Sequence, residues 1–223
     1  PQLTLETSQF GVDAVVNYSS GTGSNTLTFN YTIGSGETSS DLDYVATSSL
    51  ALYSGYSSTI KDAAGNDATL TLASPGAANS LGANKDLVID TTLPTVTGVT
   101  STTSNGSYRQ GETIAITVEF SEVVNVDESG GTPTLTLNNT SGTNPAVDYS
   151  SGSGSTTLTF NYTIGSGETS GDLDYATTNS LVLNSGTIKD AAGNAATLTL
   201  ASPGASNSLG NNRALIVDTS VPT

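Results

Sequence analysis

The chain has 223 residues, 35% of them hydrophobic, and its 20 acidic and 5 basic side chains give a formal net charge of −15. The few cations are scattered along the sequence, so we predict neither nucleic-acid binding nor attachment to anionic lipid, both of which require a clustered basic face. Because the sequence contains no Cys and no His, thiol chemistry, zinc and iron–sulfur sites and a serine–histidine pair are excluded, and no apolar run approaches the ~18 residues of an inserted membrane helix.

The predicted elements are β-strands, because apolar and polar residues alternate with a period of two. In ETIAITVEF (112–120) the side chains Ile114, Ile116 and Val118 share one face, and TTLTFNYTI (156–164) alternates in the same way. Such alternation is typical of sheets that pack against the core on one face and are exposed to solvent on the other. With polar turns between them, the strands predict an all-β sandwich. In chain order they lie near 95–101, 112–120, 133–138, 146–150, 156–164, 180–184, 196–201 and 214–218.

A long internal repeat organises the chain. Four segments recur: FNYTIGSGETS (29–39 and 160–170), IKDAAGN (60–66 and 188–194), ATLTLASPGA (68–77 and 196–205), and IDTTLPT (89–95), which returns as VDTSVPT (217–223). Self-similarity of this kind indicates tandem units. We therefore predict an incomplete repeat at 1–94 and a complete repeat at 95–223 that ends at the next junction.

The first repeat begins at Pro1, which aligns with Pro133, and so contains no counterpart of residues 95–132. We expect the source protein to continue in both directions. We also expect the first unit to expose a sheet edge, which leaves it frayed or able to borrow a strand from a neighbour.

The strings GETIAITVEFSEVVNV, GTPTLTLN, TLTFNYT, DLDY, GTIKDAAGN and VDTSVPT resemble the bacterial Ig-like repeats of giant adhesins that are exported by type I secretion and often carry RTX-type signals. The resemblance implies tandem immunoglobulin-like β-sandwich repeats in an elongated rod at the bacterial cell surface. It implies a structural extender and not an enzyme. The partners would be neighbouring repeats of the same chain, while other regions would engage a host or cell-surface ligand.

Carboxylates are the candidate metal ligands. Loops at the end of one repeat would meet loops at the start of the next, and the acids gathered there would repel each other unless a hard cation such as Ca²⁺, which takes six to eight oxygen ligands, bridged them. The alternative is that these residues only shape turns, and for Asp62 and Asp190 the two interpretations carry equal weight. The candidate ligands are Glu37, Asp41 and Asp43 in the turn of the first repeat, Asp90 at its exit, Glu122, Asp127 and Glu128 in the predicted loop SEVVNVDESGG (121–131), Asp190 and Asn194 in the loop IKDAAGN, and Asp218 at the following junction.

Two further pairs of residues have a functional and a structural interpretation. Tyr44 and Tyr175, in the repeated DLDY, could contact sugar, but a tyrosine corner that pins the preceding loop is favoured. Lys61 and Lys189 could form an isopeptide cross-link, but a solvated ion pair with a nearby Asp is favoured.

For the whole chain, the alternative to an extender is a glycan- or protein-binding module whose loops recognise the ligand, and homotypic association between cells is a third hypothesis.

Overall fold

The computed structural model describes residues 1–8, 11–53, 55, 57–139 and 144–221. The chain divides into two compact units, Pro1–Thr92 and Leu93–Thr223. The structure is nearly all β, with the sheets of a β-sandwich, as the alternating pattern predicts.

The first unit contains a four-stranded antiparallel sheet in the order β3-β2-β1-β4. Strand β3 is short and lies at one edge of that sheet, where β2 is its only partner among the described residues. A single helical turn, α1, begins after Ser80, whose side chain accepts a hydrogen bond from the Ala83 N–H. The elements are β1 (Gln2–Leu5), β2 (Ala14–Ser20), β3 (Thr28–Phe29), β4 (Leu50–Ala51) and α1 (Leu81–Asn84).

The second unit is larger, and its strands follow the path β11-β8-β9-β10-β7-β13, with β12 paired to β8 and β5 paired to β7. A parallel pair, β6 with β14, completes the unit. The elements are β5 (Val96–Ser101), β6 (Gly106–Tyr108), β7 (Thr113–Asp127), β8 (Thr134–Asn138), β9 (Ala146–Ser151), β10 (Ser155–Thr163), β11 (Asp174–Tyr175), β12 (Leu181–Val182), β13 (Thr187–Lys189), α2 (Leu209–Asn212) and β14 (Leu215–Val217).

Strand β7 is the centre of the second unit. Its first half pairs with β10 on one side and β5 on the other, and its last residues pair with β13. The side chains of Ile114, Ile116 and Val118 are fully buried against those of Leu158 and Phe160. Each such side chain contributes roughly 1.5–3 kcal/mol through its removal from water. The alternation in the sequence thus identifies the buried face of both strands.

Two predicted strands differ from the observed ones. The segment after Phe120, predicted as a loop, continues β7 as far as Asp127, and its Val124 is fully buried. The predicted strand at 196–201 does not form a ladder, because its backbone N–H groups bond to three separate segments. The acceptors are the carbonyls of Ile188 for Ala196, Pro94 for Thr197 and Thr178 for Leu200.

Candidate metal centre

The repeated DAAGN sequence folds into the same turn in both units. In the first unit, the Asp62 carboxylate accepts hydrogen bonds from the backbone N–H groups of Ala64 (2.9 Å) and Asn66 (2.8 Å). The Asn66 side-chain amide donates to its second oxygen at 2.8 Å. These bonds with Asn66, followed by those from the turn backbone, lower the pKa of Asp62. Gly65 has a φ of 90°, a left-handed conformation that a side chain would strain.

The second copy of this turn is more buried. The Asn194 N–H and side-chain amide donate to the two Asp190 oxygens at 2.8 and 2.7 Å, and Asp190 is only 6% exposed. These are the bonds of a turn-forming aspartate. A carboxylate has about four acceptor sites on its two oxygens, so Asp190 keeps the capacity to accept a further ligand.

The structure brings one other candidate ligand to this turn within the second unit. Carboxylate oxygens of Glu122 and Asp190 lie within 4.8 Å of one another. Glu122 is half-buried on β7, between the buried residues Phe120 and Val124. Two carboxylates at this separation, on a chain of net charge −15, form an electrostatic arrangement that a divalent cation would stabilise.

The second unit begins beside this pair. The Pro94 carbonyl accepts a hydrogen bond from the Thr197 N–H at 2.7 Å, and the Thr95 carbonyl accepts one from the Ser121 N–H at 2.8 Å. The Ser121 hydroxyl in turn accepts from the Thr95 N–H at 3.0 Å. The start of the unit is therefore held against the residue that precedes Glu122. The sequence contained no signal for this role of Ser121.

Two of the remaining candidates in the second unit lie away from Glu122. They were predicted to share a loop with it, but β7 runs through Asp127, and five residues of extended strand span about 16 Å. The Ser129 N–H, at 2.9 Å from the Asp127 carboxylate, is the main cause of its lowered pKa. Glu128 follows β7 in an exposed turn. The sequence-based grouping of Glu122, Asp127 and Glu128 in one loop is wrong.

Asp43 is a buried carboxylate that its own unit satisfies. It accepts backbone hydrogen bonds from Tyr44 (2.8 Å), Gly76 (2.9 Å) and Leu81 (3.2 Å). Burial alone raises the pKa of Asp43, but hydrogen bonds from the Gly76 N–H, the Ser80 side chain and other backbone donors outweigh burial and lower the pKa. The main task of this side chain is to hold the 74–82 segment.

The other acids have local hydrogen bonds. Glu37 accepts from the Tyr31 hydroxyl at 2.7 Å and from the Gly34 N–H, and burial together with this contact raises the pKa of Tyr31 to about 12. The carboxylates of two junction residues, Asp90 and Asp218, accept N–H bonds from the second residue after each, both at 2.9 Å. Asp41 is exposed.

The tyrosines of the repeated DLDY have structural contacts. The Tyr175 hydroxyl donates to the Ala201 carbonyl at 2.6 Å, and the Tyr44 hydroxyl donates to the Ala73 carbonyl at 2.7 Å. Both tyrosines are buried. Each hydroxyl therefore holds a later segment, 29 residues further along the chain for Tyr44 and 26 residues for Tyr175. The prediction that these tyrosines pin the preceding loop is wrong.

The lysine of the first DAAGN turn has an ion pair. The Lys61 ammonium lies 2.7 Å from the Asp67 carboxylate, and the two side chains are 40% and 78% exposed to solvent. A non-covalent pair of this kind contributes little to stability because water and salt screen it.

The chain was compared with known protein families. A family model described as a bacterial Ig-like domain matches residues 90–202, which is about half of the chain. The chain belongs to this family. No curated protein and no solved structure matches the sequence.

Family membership agrees with the β-sandwich sheets described above. Bacterial Ig-like domains are non-catalytic structural modules, commonly found in extracellular or surface proteins. Within the described part of the chain, no helix has the length and apolar character needed to span a membrane.

Proposed function

We propose that this bacterial Ig-like chain is a structural extender, without catalytic activity, of a large secreted surface adhesin, and that calcium stiffens the junctions between its repeats into a rod. The near-identical repetition of whole segments carries the extender part of the proposal. Repeated units that differ so little suit a common spacing task. The short junction around Pro94 supports it, because proline fixes φ and favours an extended connection.

The calcium part rests on the second unit. Glu122 and Asp190 supply carboxylate oxygens within 4.8 Å of one another, and Asn194 holds the Asp190 side chain in place through two hydrogen bonds. Asp90 precedes Pro94, which is anchored to Thr197, by four residues, a reach of about 14 Å at full extension. Chain connectivity thus allows Asp90 to contribute a third carboxylate. Backbone carbonyls and water would complete the shell that Ca²⁺ prefers.

Extracellular calcium modules bind with a Kd of about 10⁻⁴ to 10⁻³ M. Sites of that affinity are empty inside a cell and filled outside it. The protein would then leave the cell flexible and stiffen after secretion, which couples its location to its mechanics.

The test is a thermal melt and small-angle scattering of the full chain, in millimolar calcium and then in excess chelator. We expect calcium to lengthen the particle and to raise the melting temperature, because a ligand at ten times its Kd adds roughly 1.4 kcal/mol to the stability of the state that binds it. Glu122→Gln should abolish both responses. Asp148→Asn removes one exposed charge elsewhere in the second unit and should leave them unchanged.

The Asp90→Ala variant tests the junction itself. It should weaken calcium binding in isothermal titration calorimetry and remove the lengthening. Full calcium affinity and rigidity in this variant would exclude Asp90 as a ligand. A parent chain that is indifferent to calcium would reduce all these carboxylates to turn formers and favour the ligand-binding module instead.

A further inference from the structure

A chemically labile pair of residues lies at the start of β6. Asn105 is exposed and is followed directly by Gly106, and no other asparagine in the sequence precedes a glycine. In such a pair the backbone nitrogen of the glycine attacks the side-chain amide carbon of the asparagine, because glycine has no side chain to hinder the approach. The attack closes a cyclic imide and releases ammonia.

Water then opens the imide at either of its two carbonyls. The products are aspartate and isoaspartate, and the net reaction converts asparagine and water into the acid and ammonia. Aspartate keeps the normal backbone and adds one negative charge. Isoaspartate adds the same charge, but its main chain runs through the former side chain and gains a methylene group between residues 105 and 106.

The fold ties both reacting groups to Ala214. The Gly106 N–H donates to the Ala214 carbonyl at 3.0 Å, and the Asn105 side-chain carbonyl accepts from the Ala214 N–H at 3.2 Å. The Gly106 nitrogen must give up its proton to attack, and the hydrogen bond to Ala214 holds that proton in place. The imide therefore forms in molecules in which this contact has opened.

The contact belongs to a pair of strands that can open locally. Strand β6 has three residues, of which Gly106 and Ser107 are exposed, and among the described strands it pairs only with β14. Short, exposed elements with few contacts open at low cost in free energy. Strand β14, in contrast, carries Leu215 and Val217, which are 0% and 2% exposed. An added methylene group moves Gly106 away from its position opposite Leu215 and so loosens a pair that holds two core side chains.

We propose that Asn105 is a site of spontaneous deamidation, that opening of the β6–β14 pair controls its rate, and that the isoaspartyl product destabilises the second unit. The reaction requires only water. Because the isoaspartyl chain no longer closes in the original register, the modification accumulates with the age of the protein. This inference lies beyond the extender function, since it limits the lifetime of the unit and does not involve calcium.

The test is incubation of the full chain in mildly alkaline buffer, followed by digestion and mass spectrometry, in which the acid differs in mass from the amide. Electron-transfer fragmentation distinguishes isoaspartate from aspartate. We expect Asn105 to be converted, whereas Asn161, which is also exposed but precedes Tyr162, should remain intact over the same period. A peptide of residues 101–109 (STTSNGSYR) has no Ala214 partner and should react roughly tenfold faster than the folded chain, or more.

Two variants separate the chemistry from the opening of the strand pair. Gly106→Ala retains the backbone N–H, and its Cβ would meet nothing closer than the Tyr108 ring at 3.8 Å. This variant should fold as the parent does and deamidate markedly more slowly, because the methyl group hinders the attack. Ile216→Gly weakens β14 at an exposed position and should speed deamidation by roughly two- to fivefold.

The isoaspartyl fraction, separated from the parent chain by ion exchange, shows the consequence for stability. We expect its melting temperature to fall, whereas Asn105→Asp, which adds the same charge to a normal backbone, should melt as the parent does. The proposal would be overturned by an Asn105 that stays intact, by equal rates in the peptide and the folded chain, by an undiminished rate in Gly106→Ala, or by an isoaspartyl fraction of unchanged melting temperature.

Discussion

The hydroxyl of Tyr175 forms a hydrogen bond that stabilises the second unit separately from the packing of the aromatic ring. It donates to the carbonyl of the half-buried Ala201 at 2.6 Å, while Tyr175 itself is fully buried. Tyr175→Phe keeps the packing of the ring but leaves that carbonyl without its donor. We expect a loss of about 1–3 kcal/mol in the free energy of unfolding, measured by urea denaturation.

The matched control is Tyr108→Phe. The Tyr108 hydroxyl also donates to a backbone carbonyl, that of Ser104 at 2.6 Å, but this contact is exposed. Water can replace the donor there, so the change should stay below about 0.5 kcal/mol. Equal losses in the free energy of unfolding of the two variants would show that the contribution of such a hydrogen bond to stability does not depend on its burial.

Asp43 links the stability of the first unit to pH. Its pKa in the folded state lies below the ordinary value of 3.8 because backbone and Ser80 donors outweigh the opposing effect of burial. The unfolded state therefore takes up the proton more readily as the pH falls. The stabilisation is fully present above the unfolded pKa and is lost as the pH falls through the folded pKa.

Urea denaturation between pH 7 and pH 3 measures this dependence. We expect the free energy of unfolding of the first unit to fall with acidification below pH 3.8, and Asp43→Asn to reduce the slope. Asp62, in the same unit, also has a lowered pKa, so part of the slope should remain. Identical slopes in the parent and the variant would contradict the role given to Asp43.

At the scale of elements, the two DAAGN turns are the same motif in two environments. Asp62 and Asp190 make the same hydrogen bonds to Asn66 and Asn194, yet Asp62 is exposed and Asp190 is 6% exposed. Asp190→Ala should cost about 1–3 kcal/mol because the half-buried Asn194 donors lose the Asp190 acceptor in a turn that water reaches less easily. Asp62→Ala should cost less, since water can reach the donors of its turn.

Denaturation of the two single variants in chelator measures this difference without any contribution from a metal. A larger loss for Asp62→Ala than for Asp190→Ala would contradict the dependence on burial. If the losses have the expected order, the turn-forming role of both aspartates is established independently of calcium.

The alternating strands were predictable because buried and exposed side chains alternate along a strand with the same period of two as the apolar and polar residues in the sequence. Ile114, Ile116 and Phe160 occupy the interior positions that the pattern assigns to them. The end of β7 was not predictable in this way. Its continuation past Phe120 places Glu122 in the buried series before Val124, and a polar residue at an inward position resembles the start of a loop.

The candidate site was predictable only in part, for a similar reason. Residue type identified Glu122 and Asp190 as acids suited to a hard cation, but their proximity depends on how β7 lies beside the turn after β13. Local patterns do not contain that long-range information. They also made Asp43 a candidate metal ligand, with no sign that its neighbours enclose it with backbone donors.

At the scale of the whole molecule, the two units have cores of very different size. The buried apolar cluster of the second unit runs from Val99 to Val217, whereas that of the first contains, among its described residues, only Leu5, Val16, Leu42, Tyr44 and Ile89. Apolar burial is the main stabilising term in folding. The first unit should therefore unfold at a lower temperature, which would give two transitions in differential scanning calorimetry.

A matched pair of core variants assigns these transitions. Leu42 and Leu173 occupy equivalent positions in the repeated DLDY and are 4% and 0% exposed. Each change to Ala should cost about 2–5 kcal/mol. Leu42→Ala should lower only the first transition, and Leu173→Ala only the second, because distant sites in separate units act independently. A single transition that both variants shift equally would mean that the two units unfold as one cooperative body.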